Sequence, residues 1–129
     1  MSQVTLAEQN YLKCIYELSG SENKKVLTSD VAQAINIKSA TATDMLGKLS
    51  SKKLVDYEKY YGARLTEKGK AVAVNVVRKH RLWEVFLVEK LGFGWDEVHG
   101  MAEDLEHATT DALIDRLEKY LGHPKTDPH

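Results

Sequence analysis

Apolar residues recur at helical spacing along most of the chain, and only residues 54–66 read as strands. Thr5-Leu6-Ala7-Glu8 has the form of a capping box, a hydroxyl at the cap and a carboxylate three residues later. Tyr11, Leu12, Ile15 and Tyr16 continue it as an apolar stripe to about Leu18, and Ser19-Gly20-Ser21-Glu22-Asn23 ends it. Thr28-Ser29-Asp30 is expected to cap a short second helix carrying Val31, Ala32 and Ile35. After Asn36-Ile37-Lys38, Ser39 is expected to cap a third helix through Leu49, with Met45, Leu46 and Leu49 facing inward. Two short helices joined by a tight turn form a helix-turn-helix pattern.

Leu54–Glu58 and Ala63–Thr66 then read as paired strands, with Lys59-Tyr60-Tyr61-Gly62 as the turn and Gly62 suited to it. A hairpin directly after a helix-turn-helix is a wing. Thr66-Glu67-Lys68-Gly69 opens a long helix with Val72, Val76, Val77, Leu82, Val85, Phe86 and Val88, reaching about Leu91 before Gly92-Phe93-Gly94 breaks it. A fifth helix is expected from near Trp95-Asp96 to His107, and a sixth from Thr110 to Leu121 with Leu113, Ile114, Leu117 and Leu121. The expected fold is mainly α: a winged helix-turn-helix of three helices plus a two-stranded hairpin over residues 1–66, then a second helical domain over 67–122, to which the chemistry and the resemblance below assign dimerisation and metal binding. Both prolines fall in the tail, 123–129.

Composition adds one asymmetry. The net charge is only −1, yet residues 1–80 hold 13 Lys/Arg against 8 Asp/Glu, while residues 81–129 hold 5 against 11. A basic half suits phosphate and an acidic half suits cations, although two solvated faces would look the same. One cysteine, Cys14, allows no internal disulfide and reads as a small core residue. No apolar run approaches membrane-spanning length, and the N-terminus lacks a secretory pattern, so a cytoplasmic protein without a membrane partner is expected.

The chemistry follows the two halves. The first residues of a recognition helix reach base edges in the major groove; here they are Ser39, Ala40, Thr41, Thr43 and Asp44, hydroxyls and small groups rather than base-discriminating arginines. Thr28, Lys38, Lys48, Lys59 and Arg64, with Lys52, Lys53 and Lys68, are candidates for the backbone of double-stranded DNA. In the acidic half, His99, Glu103, Glu106 and His107 share one face of the fifth helix, and His80 and Glu84 stand four apart on the fourth. Such a face is often a solvated row of i,i+4 pairs; two adjacent helices carrying it can instead hold metal. Oxygen-rich donors with few imidazoles suit Mn²⁺ or Fe²⁺, while structural zinc favours clustered cysteines. Two other readings fit the residues: a winged-helix regulator without metal control, and a di-metal carboxylate enzyme. The latter usually draws its ligands from four long helices, which this chain lacks.

Tyr11-Leu12-Lys13-Cys14-Ile15-Tyr16-Glu17-Leu18, Leu65-Thr66-Glu67-Lys68-Gly69, Val77-Arg78-Lys79-His80-Arg81-Leu82, Glu97-Val98-His99 and Leu105-Glu106-His107 together resemble the diphtheria-toxin-repressor and manganese-transport-regulator family of bacterial metalloregulators. The resemblance covers nearly the whole chain. It implies a homodimeric, metal-dependent repressor of metal homeostasis genes on a palindromic operator, not an enzyme. It also implies two neighbouring ion sites per chain, one from Asn10, Glu103, Glu106 and His107, the other from His80, Glu84 and His99. The family's iron-responsive branch has cysteine at the position of Glu103 and its manganese branch has glutamate. Asn10 departs from the methionine or aspartate usual there, and Lys13 stands where the manganese branch can offer a carboxylate. Leu113, Leu117 and Leu121 are candidate dimer contacts. The tail is similar to the hinge after which many members continue into an SH3-like domain.

Overall fold

Thr5 starts the first helix by the reciprocal bonding its sequence suggests. In the computed structural model, which describes residues 4–20 and 22–123, Glu8 N–H donates to Thr5 Oγ1 at 3.1 Å and Thr5 N–H donates to Glu8 Oε1 at 2.8 Å. The element order is α1 (Leu6–Ser19), α2 (Thr28–Ile35), α3 (Ser39–Ser51), β1 (Val55–Glu58), β2 (Gly62–Leu65), α4 (Glu67–Glu89), α5 (Val98–Ala108) and α6 (Asp111–Tyr120). This is a helix-turn-helix with a two-stranded wing, followed by a helical segment. Ser21 and the tail residues 124–129 lie outside the described residues. The chain divides into two compact units, Met1–Val74 and Asn75–His129, with the division inside α4.

In the first unit, Leu12, Ile15, Val31, Leu46, Leu49, Leu54 and Leu65 form one buried cluster, with Met45 partly buried against it. Two caps differ from expectation. Thr28 and Ser39 are the first residues of α2 and α3 rather than their caps; Leu27 and Lys38 hold the cap positions, with no side-chain cap bond at either helix. The turn between them depends on Asn36, which takes the left-handed conformation (φ 63°) and donates its N–H to Ala32 and Gln33 carbonyls. Asparagine tolerates this region better than most residues.

The hairpin pairs Val55 with Leu65 and Glu58 with Gly62. Gly62 is not in the turn. Tyr60 supplies the positive φ there (72°), and Gly62 is the first residue of β2. Its missing side chain serves another purpose: a Cβ would lie 2.6 Å from Val26 O. Val26 approaches because its N–H and C=O both bond Ala63 at 2.8 Å, an isolated bridge beside the hairpin.

Thr66 lies outside β2 and joins the wing to α4. Its N–H donates to Leu54 O at 3.1 Å, its hydroxyl donates to Lys53 O at 2.7 Å, and its Oγ1 accepts Gly69 N–H at 3.1 Å. A Cβ on Gly69 would sit 1.9 Å from Leu54 O, so this turn of α4 can approach the hairpin only with glycine there.

The second unit has a smaller apolar cluster, Leu82, Ile114 and Leu117, with Trp83, Phe86 and Leu121 packed on it. A polar ladder supplements it. Lys79 pairs with Asp111 at 3.1 Å, and Arg78 pairs with Asp115 and Glu118 at 2.8 and 2.7 Å. Leu117 is therefore core in this unit, whereas Leu113 is exposed. α5 starts at Val98, later than the sequence suggests, because Gly94–Glu97 forms a turn: Glu97 N–H donates to Gly94 O at 2.9 Å and Glu97 Oε2 accepts Gly94 N–H at 2.8 Å. No helix among the described residues is long and apolar enough to cross a membrane.

Gly69→Ala is expected to destabilise the first unit by about 1–3 kcal/mol, the usual cost of overpacking. Gly47→Ala, where a Cβ meets nothing within 4 Å, should instead be neutral or stabilise by up to about 1 kcal/mol. Chemical denaturation of both variants checks the contrast. A second expectation concerns Glu8, which is buried and paired with Lys52 at 2.7 Å. Burial acts to raise its pKa, but hydrogen bonds from Lys52 and Thr5 outweigh burial and hold the carboxyl below its ordinary value of 4.5. A depressed carboxylate stabilises fully above its unfolded value and loses that contribution as pH falls through the folded one. Glu8→Gln should therefore flatten the acid limb of the stability–pH curve below about pH 4.5.

Candidate metal centre and nucleic-acid face

One turn of helix separates His80 from Glu84 on α4, and this places both inside the second unit; their side chains are 10% and 2% exposed. Glu106, on α5, has a fully buried side chain. His80 lies between the two carboxylates, with Nε2 3.4 Å from Glu84 Oε2 and Nδ1 2.8 Å from Glu106 Oε2. His99 faces Glu84 Oε2 from α5 at 3.8 Å and bonds Glu103 Oε1 at 2.8 Å through its other ring nitrogen. His107 Nε2 lies 3.3 Å from the second oxygen of Glu106. The His80 and His99 rings meet edge to face, their centroids 4.8 Å apart.

Among the described residues, His80, Glu84 and His99 each offer a donor atom within 4.8 Å of the others. His99 and Glu103 are about half exposed or more, while Glu84, Glu106 and His80 lie deep, so the cluster runs from surface to interior. A buried carboxylate is costly unless a cation or hydrogen bonds compensate it. Here Glu84 faces His80 and His99, and Glu106 faces His80 and His107. The set is nitrogen and oxygen only, which fits a divalent manganese or iron ion. Six of the seven residues proposed as ligands from sequence thus lie on α4 and α5 of one unit. Asn10 is on α1 of the first unit and exposed. Lys13, also on α1, is buried. Cys14 is half-buried; burial, and secondarily the Glu17 charge, pushes its thiol up to about 11, so it packs as a neutral side chain.

On the first unit, Lys38, Ser39, Ala40, Thr41, Asp44, Lys48, Lys59 and Arg64 are exposed, and Thr28 and Thr43 half-buried. The Thr43 hydroxyl donates to Ser39 O at 3.0 Å, which leaves its lone pairs outward as acceptors. A concavity of about 290 Å³ opens between the starts of α2 and α3 and the wing, lined by Thr28, Ser29, Ser39, Thr43, Tyr57 and Lys59 among others. It adds Ser29, Leu27, Tyr57 and Tyr60 to the face, residues whose position depends on the wing folding back beside α2 and so carries no periodic signal. Lys52 belongs elsewhere: its ammonium is bonded to Glu8.

The family model described as the iron dependent repressor N-terminal DNA binding domain matches residues 3–63, and that described as the iron dependent repressor metal binding and dimerisation domain matches residues 66–129. The chain belongs to the iron-dependent repressor family. An HTH-type transcriptional regulator of Methanocaldococcus jannaschii is 36% identical over 113 residues, covering 88% of this chain and 90% of that protein. The iron-dependent repressor IdeR of Mycobacterium tuberculosis is 33% identical over 128 residues, 99% of this chain but 55% of its own length. Among solved structures, a manganese-dependent transcriptional repressor in complex with manganese is similar with a TM-score of 0.85 at 43% identity, covering 94% of this chain and 55% of that one. The chain thus spans about half the length of several repressors it matches, and nearly all of the archaeal regulator.

Proposed function

We propose that this chain is a metal-dependent transcriptional repressor. With Mn²⁺ or Fe²⁺ bound it acts as a homodimer on a palindromic operator in double-stranded DNA and controls metal homeostasis. The observation that carries the reading is the group His80, Glu84 and His99, with Glu106 buried against His80, in a chain that also holds a winged helix-turn-helix. The manganese-dependent repressor and IdeR, whose names state manganese and iron dependence, support the choice of metal. Glutamate at Glu103 favours manganese.

The proposed ligands are His80, Glu84 and His99 for one ion and Glu103, Glu106 and His107 for its neighbour, with Asn10 the amide donor that the family resemblance assigns. A bound divalent cation would bring positive charge to Glu84 and Glu106 in the interior. His80 then keeps one nitrogen for the ion and the other for Glu106, which fixes its tautomer and ring orientation. His99 and Glu103, at the exposed end, give the ion its way in.

On the DNA side, the start of α3 reads base edges with Ser39, Ala40, Thr41 and Thr43 while Lys38, Lys48, Lys59 and Arg64 meet phosphates. Successive major grooves lie about 34 Å apart, so two recognition helices must be held near that spacing. Metal favours DNA to the extent that the loaded dimer keeps it.

Anaerobic calorimetry of the metal-free protein with Mn²⁺ should show one or two ions per chain. Glu103→Ala should weaken binding by at least about tenfold while leaving the helical circular dichroism unchanged. Selection from random duplexes with Mn²⁺ present should enrich an inverted repeat that the Glu103→Ala protein no longer retains. An operator bound equally well with and without chelator would replace this reading with a regulator indifferent to metal.

A further inference from the structure

Thr109 follows the last residue of α5, is 6% exposed, and accepts hydrogen bonds from α4 at both its hydroxyl and its carbonyl oxygen. The Trp83 indole N–H donates to Thr109 Oγ1 at 2.7 Å, and that hydroxyl donates to Leu105 O at 2.5 Å. Lys79 Nζ donates to the Thr109 carbonyl at 2.8 Å while also pairing with Asp111. A lysine on the terminal carbonyls of a helix is favourable electrostatically as well.

The placement of these bonds connects them to the metal cluster. On α4, Lys79 directly precedes His80 and Trp83 directly precedes Glu84. On α5, Leu105 directly precedes Glu106, the residue that meets His80 at 2.8 Å. The same four-residue step therefore occurs twice, once in hydrogen bonds to Thr109 and once in the donor groups. A turn of α5 about its axis, or a slide by one residue, would break the first set and separate the second.

We infer that Thr109, held by Trp83 and Lys79, is a positioning residue for the metal centre: it sets the register of α5 on α4 so that Glu106 stands against His80. The inference rests on the metal reading proposed above. Ligand side chains need placement to within about 0.5 Å, and loss of an outer hydrogen bond typically costs about 10–100-fold in metal affinity.

The test compares Thr109→Val, which keeps the shape and removes the hydroxyl, with Thr109→Ser, which keeps the hydroxyl. Mn²⁺ affinity by calorimetry should fall about tenfold or more in the valine variant and return in the serine variant. The indole proton resonance of Trp83 should move and exchange faster with solvent in Thr109→Val only. If the valine variant does not fold, Trp83→Phe, which keeps a ring and removes the donor, should show the same loss of affinity. Wild-type Mn²⁺ affinity in Thr109→Val or, failing that, Trp83→Phe, or no recovery in Thr109→Ser, overturns the positioning role alone. No Mn²⁺ binding by the wild-type chain overturns it together with the metal reading.

Discussion

Two carboxylates inside a small helical unit, Glu84 and Glu106, are the feature the rest of this structure must accommodate. Both side chains are essentially removed from water, and one imidazole, His80, lies between them. An isolated buried carboxylate is strongly unfavourable, and breaking a buried pair by removing one partner costs more than the pair contributes. His99 also faces Glu84 and His107 also faces Glu106, while the outer polar ladder of Lys79, Arg78, Asp111, Asp115 and Glu118 joins α6 to α4. A site that gathers two carboxylates and several imidazoles in this way is well suited to respond to a divalent ion, because both kinds of group are donors to it.

The first unit meets a different constraint, that of close approach. Gly62 and Gly69 stand where another backbone leaves no room for a Cβ, and Thr66 ties the wing to the first turn of α4. These contacts fix the wing beside α2 and α3 and leave the starts of both helices uncovered by side-chain caps. Backbone N–H groups at helix starts attract phosphate. The missing caps, which weaken the helices slightly, thus agree with a surface that meets DNA.

Much of this was legible in the sequence because its signals are local. The capping box of Thr5 and Glu8, the stripe of Leu12 and Ile15, and the i,i+4 pair His80–Glu84 each lie within a turn or two of helix. Helix starts were less legible. Thr28 and Ser39 are good capping residues by type, yet each sits one position inside its helix, and only the backbone shows that. Non-local features were hidden altogether. Gly62 reads as a turn glycine until Val26 is found against it, and the sequence that marks Glu106 as a candidate ligand does not show that it is buried against His80. Thr109 has no motif of its own; its role comes from an indole and a lysine thirty residues away in sequence or nearly so.

The central claim is that metal and DNA are energetically coupled through this chain, and coupling of this kind is reciprocal. The most direct measurement is the Mn²⁺ affinity of the dimer with and without a saturating selected operator duplex, set beside the operator affinity with and without Mn²⁺. The account predicts that DNA tightens Mn²⁺ binding by the same factor, once stoichiometry is matched, as Mn²⁺ tightens DNA binding. An Mn²⁺ affinity that DNA leaves unchanged would contradict it.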